Sequence, residues 1–358
     1  MRIGIDAREL AGQATGVGRY LAALLREWAR GSAAGPHEFV LYVPGPIGLV
    51  LDAPRFRIRE VGGGAGTWWE QMRLPDAIAG DALDVFFAPA YTAPLRTRVP
   101  VVVVIHDLSY VAHPEWFGLR DGLRRRWLTR RTAASARSII TVSQFSRREI
   151  IDHLGVPADR IHTIVSGFER LNIPPRLDTD PRVLYVGSLF NRRHVPDLVR
   201  AMGTLARARP EASLDIVGDD RTFPHEDLAQ IIASLGLGGR VRWHRYVTDD
   251  QLLELYGRAR AFAFLSEYEG FGMTPLEALG AGVPPVLYDT AVARETCEAA
   301  ALYVPVGDAA AVVEALDHAL FDETARAAIL AAAPAALAKF DWPRAARETL
   351  AVIEDAAR

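Results

Sequence analysis

Glu269 and Glu277 are separated by seven residues in the stretch 266–282, SEYEGFGMTPLEALGAG, and they bracket two glycines, Gly270 and Gly272. At those glycines the backbone can come close to a ligand, because no Cβ stands in the way. An apolar run at 261–265 precedes the turn and reads as a buried strand. Thr274, Pro275 and Glu277 match the N-cap, N1 and N3 positions of a helix start. There Thr274 supplies an acceptor, Pro275 has no N–H to leave unpaired, and Glu277 can reach back. Strand, glycine turn and helix N-terminus make a site for an anion such as a diphosphate, since unpaired N–H groups and the positive end of the helix dipole converge. Spacing alone favours a capping role for Glu277. It leaves Glu269 open, because a carboxylate at the tip of a strand-to-helix loop has no capping duty and sits where open α/β sheets bind ligands.

Other residues could share that chemistry. Arg192 and Arg193 stand together on a loop after the strand 182–186, where paired guanidinium groups could clamp phosphates, although surface arginines are common. His106-Asp107 ends the strand 99–105, so His106 is either a core residue bonded to Asp107 or backbone, or a ligand contact. Thr15-Gly16-Val17-Gly18 leads from the first strand into a helix with Tyr20, Leu21, Leu24, Leu25 and Trp28 on one side. The third glycine of a dinucleotide fingerprint would fall at Leu21, so a general ligand loop is the better reading. Asp219 and Asp220 suit a polar loop better than a metal site. The arginine-rich helix 120–137 reads first as a solvated face with Leu123, Trp127 and Leu128 packed inward. Its alternative is a patch for anionic lipid or a pyrophosphate-linked acceptor, a role that Trp68-Trp69 could also serve.

These candidates need a scaffold, and the chain is long enough for two domains of similar size at 358 residues. Strands at 2–7, 38–43, 56–60, 85–88, 99–105, 138–142 and near 161–165 alternate with helices for the most part, which argues for a parallel sheet covered on both faces. The segment 169–182 holds three prolines and little apolar pattern, so it reads as a linker. Strands at 182–186, 214–217, 240–243, 261–265 and 285–288 follow, with alanine-rich helices from Ala309 onward. A net charge of −3 gives no global attraction to nucleic acid, and one cysteine, Cys297, excludes an internal disulfide framework. Arg2 and Asp6 interrupt the apolar segment that a signal peptide needs, and no apolar run reaches the roughly 20 residues of a membrane span. The expected place is cytoplasmic, with any membrane contact peripheral at the inner face.

Taken together, the segments resemble the retaining glycosyltransferases of the GT-B fold called glycosyltransferase family 4. EGFGMTPLE carries the paired-glutamate signature. IGIDAREL, TGVGRY, WEQMRLP, VIHDLSY, TVSQFSRREI, GSLFNRR and FDWPRAARETL follow in family order, nearly end to end. The resemblance implies two Rossmann-like domains facing across a cleft, with a C-terminal helix crossing back to the first. Residues 1–170 with about 341–358 would form the acceptor side, and 176–340 the donor side. It implies that Glu277 binds ribose hydroxyls, that Glu269 faces the donor sugar, and that backbone groups of Gly270, Phe271, Gly272, Met273 and Thr274 hold sugar hydroxyls and phosphate. Arg192 and Arg193 would bind the diphosphate, His106 would contact the sugar near the reacting carbon, and Gly16 and Gly18 would approach the phosphate. Tyr246 and Val247 would hold the base. Ser188 stands where many members carry another arginine, Arg193 where lysine is usual, Arg245 where glycine is usual, and Ser166-Gly167-Phe168-Glu169 where Asn-Gly-Val-Asp is usual.

The implied reaction is metal-independent, needs no cofactor, and moves a hexose from a nucleotide-diphosphate sugar, GDP-mannose favoured, to a glycan or lipid-linked acceptor. A catalytically silent partner subunit that binds a glycan or nucleotide sugar is the competing reading. The intact set His106, Arg192, Arg193, Glu269 and Glu277 argues against it.

Overall fold

A computed structural model of the chain describes residues 1–12, 16–31, 35–51, 53–169, 173 and 180–358. The polypeptide divides into two compact units, Met1–Ala112 with Leu119–Gly167 and Phe340–Arg358, and His113–Gly118 with Phe168–Lys339. Most of the expected linker, at 170–172 and 174–179, lies outside the described residues.

The first unit is built on seven strands, β1 (Arg2–Asp6), β2 (Glu38–Val43), β3 (Phe56–Glu60), β4 (Val85–Ala88), β5 (Val101–Val104), β6 (Ser138–Thr141) and β7 (Ile161–Thr163). Their order is β3-β2-β1-β4-β5-β6-β7, and every pairing is parallel. Val, Ile and Phe fill the central strands, and β4, β5 and β6 are buried along their whole length, as strands covered on both faces must be. At the edge, β3 reads FRIRE and keeps its charged residues in solvent, which discourages further strand pairing. The helices are α1 (Gly16–Arg30), α2 (Gly66–Trp68) running through a π-helical turn (Trp69–Arg73) into α3 (Leu74–Ala79), α4 (Ser109–Ala112), α5 (Leu119–Ser135), α6 (Gln144–Leu154) and the C-terminal helix (Trp342–Ala356).

Trp28 of α1 stacks on Phe39 at 5.4 Å, and its indole N–H donates to the Ala346 carbonyl of the C-terminal helix at 3.0 Å. Ala345, Ala346, Leu350 and Ile353 sink into the same core. The last helix therefore completes the first unit, as expected. Gly16 and Gly18 differ from expectation: they form the first turn of α1 and not a loop before it. The buried stripe of α1 starts at Gly18, and packing of Tyr20, Leu21, Leu24, Leu25 and Trp28 outweighs glycine's poor helix propensity.

The second unit has six strands, β8 (Arg182–Val186), β9 (Ser213–Val217), β10 (Val241–His244), β11 (Ala261–Phe264), β12 (Pro285–Tyr288) and β13 (Leu302–Val304). They run in the order β10-β9-β8-β11-β12-β13, again all parallel. Its helices are α7 (Val195–Ala208), α8 (Leu228–Ser234), α9 (Asp249–Arg258), α10 (Met273–Gly280), α11 (Ala291–Cys297), α12 (Ala309–Phe321) and α13 (Glu323–Leu337). Thr248 and Gln251 close a capping box on α9, as a Thr-Asp-Asp start allows. The pattern reading passed over β13, whose three residues are too short to show a period.

In each sheet the chain reverses its direction of travel beside the central strand, β1 or β8. Open α/β sheets bind ligands outside the carboxyl ends of the strands at such a point. In the second unit two glycines bring the loops there together. A Cβ on Gly218 would overlap the Gly187 carbonyl oxygen, and one on Gly187 would stand 2.8 Å from a nitrogen of the Arg193 guanidinium. Replacing Gly218 by alanine should therefore cost about 2–4 kcal/mol in urea unfolding. An unchanged midpoint would mean that the two loops are not packed this closely.

Candidate active site

In the second unit, β8 and β11 are neighbours, and the loops that follow them meet. After β8, residues Asn191–Arg193 form a 3₁₀ turn that ends on His194 in the left-handed conformation, φ 47°. This turn points two arginines along the carboxyl edge of the sheet. Arg193 donates from Nε to Glu269 Oε1 at 2.7 Å and from Nη1 to the Ser188 carbonyl at 2.9 Å. Its guanidinium also lies over the rings of Phe190 and Phe264, at 5.3 and 5.0 Å. Arg192 is buried, lies 4.3 Å over the Phe190 ring, and has an Nε with no hydrogen-bond partner among the described residues. The Arg192 carbonyl accepts from the Glu267 N–H at 3.0 Å, which ties the two loops through the backbone as well. His194 is held by Asp197 at 3.0 Å and Glu267 at 3.3 Å.

Glu269 takes a second hydrogen bond, from the Ser266 hydroxyl at 2.9 Å. Burial pushes its carboxyl up. The charges of Arg193 and then Arg192, with the hydrogen bonds from Arg193 and Ser266, outweigh that and hold it below the ordinary 4.5. Glu269 is therefore an ionised carboxylate in a buried ion pair, a state in which it can accept hydrogen bonds but not supply a proton.

Glu277 requires a correction. Helix α10 starts at Met273, its N-cap is Gly272 at φ 91°, and no side chain caps it. Thr274, Pro275 and Glu277 are thus second, third and fifth helical residues, and Glu277 cannot close a capping box. The left-handed turn at Gly272, which a Cβ would strain, lets the helix begin two residues earlier than the sequence pattern suggests. Glu277 is buried instead, with the Tyr256 hydroxyl 3.5 Å from Oε2. Beyond β10, Tyr246 is 69% exposed, and Arg245 turns back over the ring of Trp243 at 4.7 Å. Asp220 closes its own turn by accepting from the Thr222 N–H and hydroxyl.

In the first unit, His106 follows β5. Its Nε2 lies 2.8 Å from the Pro89 carbonyl, so the proton sits on Nε2 and Nδ1 keeps its lone pair. Burial holds the ring below its ordinary pKa, against the opposing pulls of that hydrogen bond and of Asp107, so His106 is neutral near pH 7. Asp107 also ties the loop: it accepts from the Ser109 N–H at 2.8 Å and the Tyr91 hydroxyl at 2.9 Å.

Sequence reading missed a second charged cluster, at the carboxyl ends of β1 and β4. Arg8 Nη2 contacts Glu70 Oε1 at 2.6 Å and Asp6 Oδ2 at 3.3 Å, and the Thr92 hydroxyl donates to Glu70 at 2.6 Å. Asp6 and Glu70 are both buried, with one guanidinium between them. Desolvation is the largest influence on Asp6; Arg8 opposes it, Glu70 adds to it, and the carboxyl is pushed up to about 6. The available signal was the Asp-Ala-Arg placed where the first strand ends.

Among the described residues no group of three or more histidines, cysteines or carboxylates could hold a metal ion. No helix there is long and apolar enough to cross a membrane.

Two parallel α/β sheets, each with a charged loop cluster at its switch point and a C-terminal helix completing the first, define a GT-B architecture. Family models agree: "Glycosyltransferase Family 4" matches residues 14–169, and "Glycosyl transferases group 1" matches 169–335. The chain belongs to this family of retaining glycosyltransferases that act on nucleotide-diphosphate sugars. It is 29% identical over 281 residues to O-antigen chain mannosyltransferase B of Escherichia coli, covering 74% of this chain and 73% of that protein. Over 223 residues it is 26% identical to the GDP-mannose:cellobiosyl-diphosphopolyprenol alpha-mannosyltransferase of Xanthomonas oryzae pv. oryzae, covering 62% of this chain and 57% of that protein. In fold it is similar to sucrose-phosphate synthase from Thermosynechococcus elongatus, with a TM-score of 0.79, 19% identity, and 99% and 98% of the two chains covered.

Two pH effects follow. Because the folded pKa of Glu269 is lowered, its stabilisation is present above about pH 4.5 and lost as pH falls through the folded value. The Glu269→Gln variant should be less stable by about 3 kcal/mol at pH 7, since a buried guanidinium loses its partner, and the gap should narrow in acid unfolding series. A gap independent of pH would remove the ion pair from the account. Asp6 has the opposite sign: its folded pKa is raised from 3.8 to about 6, so its contribution is complete at low pH and lost as pH rises through about 6. The melting temperature of Asp6→Asn relative to wild type should therefore rise between pH 4 and 7, by the equivalent of about 3 kcal/mol. A flat difference would mean that Asp6 ionises normally.

Proposed function

We propose that the chain transfers a mannosyl or closely related hexosyl residue from GDP-mannose to a glycan or lipid-linked acceptor, and that the loops after β8 and β11 hold the donor. The observation that carries this reading is the Arg193–Glu269 pair with Arg192 beside it, at the switch point of the second sheet. Arg192 and Arg193 would face the diphosphate, where negative charge develops as the nucleotide leaves. Fixed cations near a low-dielectric wall stabilise that charge without reorganising. Residues Gly270, Phe271, Gly272, Met273 and Thr274 lead into α10, whose first N–H groups and dipole would add to the anion site. Ser188, whose carbonyl is held by Arg193, would bring its hydroxyl to the same phosphates.

In this scheme Glu269 accepts hydrogen bonds from hydroxyls of the donor sugar and keeps Arg193 in place. Glu277 would bind the ribose hydroxyls, and Tyr246 and Val247 the base. The bond from the anomeric carbon to the diphosphate oxygen breaks, and the acceptor oxygen bonds to that carbon on the same face. The acceptor proton passes to the departing phosphate, so no protein base is needed. His106, neutral and anchored at Nε2, would contact the sugar near the reacting carbon, with Gly16 and Gly18 at the start of α1 near the phosphate. Residues 1–170 and about 341–358 would serve the acceptor, and 176–340 the donor. Support for mannose comes from the two mannosyltransferase relatives, and support for GDP from the Xanthomonas relative alone. The fold likeness to sucrose-phosphate synthase carries no donor preference. A lipid-linked acceptor would put the work at the inner face of a membrane.

A panel of nucleotide sugars with product analysis tests the reading. Transfer from GDP-mannose should exceed that from UDP-glucose by at least about tenfold in kcat/KM, equivalent to about 1.4 kcal/mol. Glu277→Ala should weaken GDP binding by a similar factor in calorimetry. A preference for a uridine donor would overturn the GDP assignment, and no transfer or hydrolysis from any donor would favour the silent-subunit alternative.

A further inference from the structure

Helix α5 packs opposite to the sequence expectation. Leu128, Thr129, Thr132 and Ala133 are buried, while Leu119, Leu123 and Trp127 are 74%, 53% and 57% exposed. Only Leu128 of the three apolar residues expected inside is there. The exposed three recur every fourth residue and therefore form one stripe along the helix. Arg130, three residues after Trp127, also falls on the stripe, and Arg120 and Arg131 flank it.

Charge reinforces this face. The segment 119–137 carries seven arginines and one carboxylate, Asp121. Asp121 pairs with Arg124 and Arg125, and Arg126 donates to the Tyr110 carbonyl. Arg120, Arg130 and Arg131 make no ion pair among the described residues. Beside α5, the Ala93 N–H donates to Thr132 and the Ala93 carbonyl accepts from Gln71, so the π-helical turn flanks the same loop. Trp68, next to that turn, is 55% exposed, with Arg73 over its ring at 5.1 Å. Of the two tryptophans considered from sequence, Trp69 is the buried one.

We propose that α5 is a docking surface for an anionic phospholipid membrane. Leu119, Leu123 and Trp127 enter the headgroup boundary, and Arg120, Arg130 and Arg131 meet lipid phosphates. An apolar stripe inside an arginine field fits an anionic lipid surface. It fits a second copy of the chain poorly, because a self-complementary contact would set the arginines against one another. The proposal deepens the lipid-linked acceptor reading and rests on it for its purpose.

Sedimentation of the full chain with vesicles tests the surface without donor or acceptor. Vesicles rich in phosphatidylglycerol should pellet the protein, and phosphatidylcholine vesicles should not. Replacing Leu119, Leu123 and Trp127 together by serine should abolish pelleting. Replacing Arg120, Arg130 and Arg131 by serine should weaken it about fivefold per charge and reduce its salt dependence. Both variants alter exposed side chains, so the melting temperature and transfer to a water-soluble acceptor should stay as in wild type. Equal binding to both lipids, binding unaffected by either variant, or a wild-type dimer that the serine variant splits and that ignores vesicles would each overturn the proposal. Failure here leaves the donor reading intact, and an inactive nucleotide panel leaves the vesicle result intact.

Discussion

The ion pair between Arg193 and Glu269 joins residues 76 positions apart and fixes two loops that leave neighbouring parallel strands. Each partner alone would be a buried charge, costing several kcal/mol to remove from water. Together, with Ser266, the Ser188 carbonyl and the faces of Phe190 and Phe264, they form a set in which each charge has a partner. The rest of the second unit follows from holding that set in place. Gly187 and Gly218 must lack side chains so that the β8 and β9 loops can approach. Arg192 is carried on the same turn, and its backbone carbonyl is tied to Glu267 in the β11 loop.

The first unit repeats the plan with a different balance. Its sheet also reverses direction beside a central strand, and a charged cluster again occupies the carboxyl ends of adjacent strands. Here two carboxylates, Asp6 and Glu70, share the Arg8 guanidinium. Burial raises the Asp6 carboxyl, Arg8 opposes this and the neighbouring Glu70 charge adds to it, so the carboxyl is pushed up to about 6. In the second unit two arginines surround Glu269 and the shift is downward. The same burial thus gives opposite protonation tendencies, decided by the local count of charges.

Helix α5 and helix α10 show how a correct element can carry a wrong face or a wrong start. In α5 an amphipathic reading assigned Leu123 and Trp127 to the core by their residue type, yet the sheet takes Leu128 and Thr132, and the larger side chains face solvent. In α10 the capping pattern Thr-Pro-x-Glu was present, but a left-handed Gly272 started the helix earlier and moved Glu277 out of the capping position. The α5 case turns on tertiary burial and the α10 case on a left-handed glycine, each overriding a local preference of about 1 kcal/mol.

The strands and their alternation with helices were legible in the linear chain, because apolar runs bounded by turns leave few other ways to bury β4, β5, β8 or β11. It determined the return of the C-terminal helix only through family likeness. It also marked Glu269, Glu277, Arg192, Arg193 and His106, since chemistry-bearing residues at the ends of buried strands are conspicuous in a linear reading. Their partners were set by the folded chain. That Arg193 binds Glu269, that His106 donates to Pro89, and that Asp6 and Glu70 compete for Arg8 depend on which strands lie side by side. That order is set by long-range packing and leaves no local period in the chain.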